Sequence, residues 1–313
     1  MDFQSQNRRT YLQFACAVAL AALLPLQLAH AQSTGGTLER VRSAGKLVLG
    51  YRADAQPMSY RDTSSSSSQP SGYAVTLCKK VADSVKSQLR LPTLAVDWVE
   101  VTAATGEQMI QQGKIDLLCT ADEVTLARRE HVAFSVPIFL GGIGALLSNY
   151  APMDFQHTLE NRPEAYKPIW RGTAPPVFQN KTASVVAGTS AVELLAKRIN
   201  ELKIIATIST EQSYAAGMLK VAQGKSDVLV GDRAQLLAAV KQSPTAGKLK
   251  VLNRRYTHEL LALTLARNDD DFRLAVDRGL AAFVATPQFG ELYVSTFGKP
   301  DADTVEFFRG VPH

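Results

Sequence analysis

Few residues in this 313-residue sequence have the types and spacing that chemistry needs. Gly224-Lys225-Ser226 looks like the end of a phosphate-cradling loop. The upstream glycine such a loop requires is replaced by Leu219, however, and the run leads into a strand rather than a helix. His131, His157, His258 and His313 stand apart from one another and from the cysteines, so zinc spacing is absent. Neither a G-x-S-x-G elbow nor an H-E-x-x-H motif occurs. Nothing here asks for a metal or a cofactor. The remaining chemistry is that of thiols. Cys78 shares a helical face with Ala74, Val81 and Val85, and Cys119 ends the apolar run Ile115-Asp116-Leu117-Leu118. A helix packed on that strand brings the two together. They are either a disulfide, worth about 4 kcal/mol in the chain-entropy model, or two separate buried thiols.

The elements that position these residues belong to an ordinary globular chain. Hydrophobic residues make up 46%, charged residues 20% and aromatic residues 7%. That balance excludes disorder, collagen-like repeats and a small disulfide scaffold, and the length allows one large or two medium domains. The net charge of +5 is mild and its basic residues are scattered, which argues against nucleic acid. At the N-terminus, Arg8 and Arg9 precede an apolar run from Phe14 to Leu24, and Ala29-His30-Ala31 follows with small residues at the cleavage positions. Residues 1–31 therefore read as a cleaved secretory leader, too short to span a hydrocarbon core of about 30 Å. Its removal takes Cys16 and leaves the even pair, as suits an oxidising compartment. Asn7-Arg8-Arg9-Thr10 fits a twin-arginine signal as well as a general secretory one, and either route ends in the periplasm.

Along the mature chain, Lys46 to Gly50 reads as a strand into a turn, with Met58-Ser59-Tyr60 a second strand. Thr63 through Gly72, with five consecutive serines, reads as a flexible loop. A helix over Tyr73–Leu89 and a strand around Leu94–Val101 follow. Thr105 with Gln108, and later Ser209 with Gln212, have capping-box spacing. After each, Gln112-Gly113-Lys114-Ile115-Asp116-Leu117-Leu118 is echoed by Gln223-Gly224-Lys225-Ser226-Asp227-Val228-Leu229. Val48-Leu49-Gly50 and Val185-Val186-Ala187-Gly188 form a second repeat in the same order. Two such repeats point to two similar α/β lobes. Tyr150 to Asn180, with five prolines, reads as an irregular excursion. Phe272, Val276, Leu280 and Phe283 predict a late helix capped at Asn268-Asp269.

Further signatures run through the chain in order: Gly72-Tyr73-x-Val75-x-Leu77, Gly113-Lys114-Ile115-Asp116-Leu117, Thr125-x-x-Arg128, Phe134-Ser135-x-Pro137, Gly188-Thr189-Ser190, Gly224-Lys225-x-Asp227, Gly231-Asp232, Leu292-Tyr293 and Phe297-Gly298. Together they resemble the periplasmic solute-binding proteins of polar amino-acid ABC transporters (family 3), nearest the glutamate/aspartate-binding branch. The resemblance implies an α/β, two-lobed type II periplasmic-binding-protein fold, each lobe a mixed sheet flanked by helices. Lobe I would comprise residues 37–138 plus 264–313 and lobe II residues 143–258, with hinge crossovers at 138–142 and 259–264.

The same resemblance implies a site. A zwitterion leaves water only if both charges find partners. Arg128 matches the arginine that grips the α-carboxylate, with Thr125 beside it, and Thr189 and Ser190 would open a helix whose N–H groups suit the same anion. Asp232 matches the acid that receives the ammonium. Arg52, in Gly50-Tyr51-Arg52, corresponds to the position that meets a distal carboxylate. Glu123 and Tyr214 complete the ligand-binding set. Asp122 and Glu123 depart from the branch by placing negative charge near Arg128, which would either neutralise it or select a cationic or amide ligand. The implied function is a periplasmic receptor, a monomer without a cofactor, that captures a polar or acidic amino acid by hinge closure and delivers it to an inner-membrane permease. The alternatives are an enzyme resembling cyclohexadienyl or arogenate dehydratase, with Glu123 as its acid, and a ligand sensor acting in trans.

Overall fold

A computed structural model describes residues 36–62, 69–161 and 176–311. The leader, most of the serine loop and the middle of the proline-rich excursion lie outside the described residues. The described chain opens with α1 (Thr37–Ala44) and β1 (Lys46–Arg52), then a ribbon of β2 (Asp54–Ala55), β3 (Ser59–Arg61) and β4 (Pro70–Ser71). Helix α2 (Tyr73–Gln88) returns to β5 (Ala95–Val101), and α3 (Gly106–Gln111) returns to β6 (Leu117–Glu123). The short α4 (Leu126–Arg129) leads to β7 (Ala133–Phe134) and β8 (Phe139–Gly141). The next elements are β9 (Ile143–Ser148), α5 (Met153–Leu159), β10 (Lys181–Val186), α6 (Ser190–Glu201), β11 (Ala206–Glu211), α7 (Tyr214–Ala222), β12 (Val228–Asp232), α8 (Arg233–Gln242) and β13 (Leu249–Val251). Finally β14 (Glu259–Leu265) precedes α9 (Asp270–Val284), α10 (Pro287–Phe297) and α11 (Ala302–Arg309).

These elements make two lobes, each an α/β sheet flanked by helices. The first sheet runs β5-β1-β6-β14-β7, with β8 also on β14; the second runs β11-β10-β12-β9-β13. In each, three parallel strands built by crossover helices meet an antiparallel neighbour, β14 on β6 and β9 on β12. The chain leaves the first sheet through β8, enters the second at β9, and returns by β14, which pairs with β8. Gly142 stands at that passage with φ of 131°, and a Cβ there would lie 2.0 Å from the Thr257 carbonyl oxygen. Only glycine fits where these two segments cross.

The repeated Gly-Lys-x-Asp has a structural role. The Asp116 N–H donates to Val48 O and its Oδ2 accepts from Val48 N–H, both at 2.8 Å. Asp227 makes the same pair of bonds with Thr182, also at 2.8 Å. In each lobe the acid staples the strand following a helix to the lobe's first parallel strand. That explains why the motif recurs.

The disulfide forms: Cys78 in α2 is bonded to Cys119 in β6. The two capping boxes do not form. Thr105 Oγ1 accepts instead from the N–H of Thr102, and Ser209 lies within β11, where its hydroxyl meets Glu211. Ser213 caps α7 through the Ala216 N–H. Strand pairing with β10 claims Ser209 before a helix can start there. Asp269 does cap α9, accepting from Phe272. Part of the expected irregular excursion is the helix α5. Among the described residues, no helix is long and apolar enough to cross a membrane.

Candidate functional site

In open α/β sheets the crevice outside the carboxyl ends of the parallel strands is where loops bring polar groups together. Here β1 ends at Arg52, β6 at Glu123, β10 just before Gly188-Thr189-Ser190, β11 just before Tyr214, and β12 at Asp232. All eight residues expected at the site therefore lie at, or within a few residues past, the carboxyl end of a parallel strand, four in each lobe.

The first lobe's residues are already engaged with one another. Thr125 is the N-cap of α4, its Oγ1 accepting from the Arg128 N–H at 3.2 Å. Arg128 Nε donates to Glu107 Oε1 at 2.5 Å, and Nη1 donates to the Glu123 carbonyl at 2.7 Å. Its Nη2 lies 3.5 Å from Asp122 Oδ1, and the guanidinium sits over the Phe134 ring. Asp122 is held in turn by the hydroxyls of Thr120 (2.7 Å) and Thr264 (2.9 Å). That meeting occurs where Ala121 adopts φ of 59° and the β6–β14 register shifts between Ala262 and Thr264. A left-handed alanine costs roughly 1–2 kcal/mol, a strain set beside the charge cluster. Arg52 forms a bidentate pair with Asp54 at 2.9 and 3.0 Å, and that hydrogen-bonded guanidinium holds the Asp54 carboxyl below its ordinary range.

The second lobe presents a helix start and an acid. Thr189 is the N-cap of α6, but its hydroxyl donates to the Val186 carbonyl at 2.8 Å instead of capping, and Ser190 is exposed. The first N–H groups of α6 thus have no side-chain cap. Asp232 caps α8, accepting from Gln235 N–H at 2.8 Å, while its own N–H donates to the Tyr214 hydroxyl at 3.2 Å. Tyr214 packs against Gly231, where a Cβ would come within 2.6 Å of the ring. Burial raises the Asp232 carboxyl to about 6, and the nearby Glu259 carboxylate adds to the rise. Burial likewise raises Glu259, with Glu123 contributing from the first lobe. Burial also lifts the Tyr214 phenol, followed by the charge of Asp232.

Strand pairing brings these acids to the passage between lobes: Asp232 lies opposite Ile143, Glu259 opposite Gly141, and Glu123 opposite Leu261, two residues along β14 from Glu259. Glu107 and Glu259 were not singled out from sequence. Glu107 reaches Arg128 across 21 residues, a separation no local motif encodes. Glu259 is the first residue of β14, which the expected hinge range did mark. Concavities of about 410, 500 and 520 Å³ occur elsewhere, none of them lined by Arg128 or Asp232. Among the described residues no group of His, Cys, Asp and Glu is placed to hold a metal.

A family model described as bacterial extracellular solute-binding proteins, family 3, matches residues 47–299. The L-glutamate/L-aspartate-binding protein of Pseudomonas aeruginosa is 25% identical over 282 residues, covering 90% of this chain and 86% of that protein. The glutamate/aspartate import solute-binding protein of Salmonella typhimurium is 24% identical over 278 residues, covering 87% and 84%. A polar amino acid ABC uptake transporter substrate binding protein from Streptococcus thermophilus superposes with a TM-score of 0.67 at 17% identity, covering 91% of this chain and 99% of its own. At that identity the likeness is one of fold.

Proposed function

This chain belongs to the bacterial extracellular solute-binding proteins, family 3, and from that membership we propose that it captures a polar amino acid in the periplasm and hands it to an ABC importer in the inner membrane. It works as a binding protein and not an enzyme, as a monomer whose partner is the permease. The observation that carries this reading is the placement of opposite charges at strand ends in different lobes: Arg128 in the first and Asp232 in the second. An amino acid between them finds a carboxylate for its ammonium at Asp232. Its own carboxylate meets the uncapped N-terminus of α6 and the remaining N–H donors of Arg128, where helix dipole and guanidinium both favour an anion. Bridging the lobes, the ligand favours their closed arrangement, because it contacts both faces only there. The passage at Gly142, together with β8 and β14, would serve as the hinge.

Calorimetry of the secreted chain against the twenty amino acids tests this. At least one should bind with a dissociation constant of about 1 µM or tighter, some 8 kcal/mol of binding free energy. A folded protein that gives no heat with any of them would overturn the reading.

A further inference from the structure

Resting on that reading, we propose that the amino acid this crevice selects carries a cationic side chain, an ammonium or guanidinium beyond its α-amino group. The basis is the charge that strand pairing gathers where the lobes meet: Glu123 lies opposite Leu261, two residues along from Glu259, which lies opposite Gly141, and Asp232 lies opposite Ile143, two residues on from Gly141. Glu123 ends β6 in the first lobe, Glu259 starts the crossing strand β14, and Asp232 ends β12 in the second lobe. Glu123 is exposed and the other two are partly buried. Asp232 accepts from the Gln235 N–H at 2.8 Å and Glu259 from the Thr257 hydroxyl at 2.9 Å. None of the three has an ion-pair partner among the described residues.

Arg128, Arg52 and Arg233 are each paired with other acids. Arg128 is taken by Glu107 and lies beside Asp122, and Arg52 is taken by Asp54. Arg233, next to Asp232 in sequence, pairs with Asp301 at 2.7 Å. One α-ammonium offsets Asp232 and leaves Glu123 and Glu259 without an ion-pair partner among the described residues. A second positive charge on the same ligand offsets those. An acidic side chain would add a third uncompensated carboxylate, and the arginine at the position for a distal carboxylate, Arg52, already has the Nε–Nη2 edge of its guanidinium on Asp54. Like charges in a partly desolvated crevice repel strongly, so the selectivity should be large. The uncapped start of α6 remains for the α-carboxylate, which is why an amino acid fits better than a bare diamine.

The test is competitive calorimetry with lysine, arginine, glutamine, glutamate, aspartate and cadaverine, on the wild type and on the Glu123→Gln/Glu259→Gln double variant. Lysine or arginine should bind at least about 100-fold tighter than glutamate, with an affinity that falls as salt is added. The double variant should cut the ratio of cationic-ligand to glutamine affinity tenfold or more. Thermal melts report whether it folds, and the single Glu123→Gln variant, at an exposed position, serves if it does not. Tightest binding of glutamate or aspartate would overturn this inference while leaving amino-acid capture standing. Cadaverine binding as well as lysine would also overturn it, because the α-carboxylate would then contribute nothing. Silence from all twenty amino acids would instead remove the function itself.

Discussion

Asp232→Asn should weaken amino-acid binding at least about 100-fold and make the folded protein more stable at neutral pH. Both effects follow from one carboxylate. Burial, reinforced by Glu259, raises Asp232 from an ordinary 3.8 to about 6, so at pH 7 the native state keeps an ionised group that its surroundings disfavour. The sign is fixed by linkage: the native form holds its proton more tightly than the unfolded chain, so this group lowers stability above pH 6. The penalty shrinks as pH falls and is gone below about 4. Removing the charge should yield about 2–3 kcal/mol at pH 7.5 and nearly nothing at pH 4. Asparagine keeps an oxygen for the Gln235 N–H, so the cap of α8 survives. Binding behaves oppositely. A neutral amide cannot balance an ammonium, and affinity should drop at least 100-fold, about 2.7 kcal/mol. In the wild type, the groups around Asp232 are Glu259 on β14, Glu123 beyond it, and the Tyr214 hydroxyl on α7. With these acids lacking an ion-pair partner among the described residues, ligand affinity should fall about tenfold per unit as pH drops below 6, where the ligand must displace the proton. Paired urea melts and titrations at the two pH values check each part.

Asp301→Ala should be the most destabilising single change in the C-terminal region, costing about 3–5 kcal/mol. Asp301 receives Arg233 at 2.7 Å and Arg255 at 3.2 Å, and the three side chains are only 6%, 5% and 0% exposed. It also caps α11 through the Thr304 N–H, and Arg255 donates to the Thr304 hydroxyl, both at 2.8 Å. Burial pushes the Asp301 carboxyl up, but the Thr304 groups and the two guanidiniums outweigh it, so it sits below the ordinary range. Its contribution is accordingly present above the ordinary carboxylate range and is lost as pH falls through the depressed value. Truncation leaves two guanidiniums buried side by side, with the start of α11 uncapped. Because Arg233 also donates to the Leu252 carbonyl and Arg255 to that of Leu140, the cluster ties α8 and α11 to the segments that pass between lobes. Chemical denaturation should show the loss. Asp301→Asn, which can keep the cap but not the charge, should fall between the two.

Much of the architecture could be read from the sequence because it is encoded locally. The echoed Gly-Lys-x-Asp runs are legible because each lobe needs the same backbone staple at Asp116 and Asp227. Cys78 and Cys119 were visible as a helix face and a strand end. The capping boxes misled because spacing alone does not say whether a serine such as Ser209 is claimed first by a neighbouring strand. The site was half legible. Thr125, Arg128, Thr189, Ser190, Tyr214 and Asp232 follow strand ends that local motifs mark. Their electrostatics were hidden, because the Arg128–Glu107 and Asp232–Glu259 relations join residues from separate elements. Only the folded chain shows that the arginine is already matched while, among the described residues, the acids have no ion-pair partner.

The most direct test of capture between the lobes is a crystal structure of the complex with the tightest-binding amino acid. The ligand ammonium should lie about 3 Å from the Asp232 carboxylate, with its carboxylate at the first turn of α6 and beside Arg128. A ligand lodged anywhere else, with Asp232 making no contact to it, would contradict the arrangement.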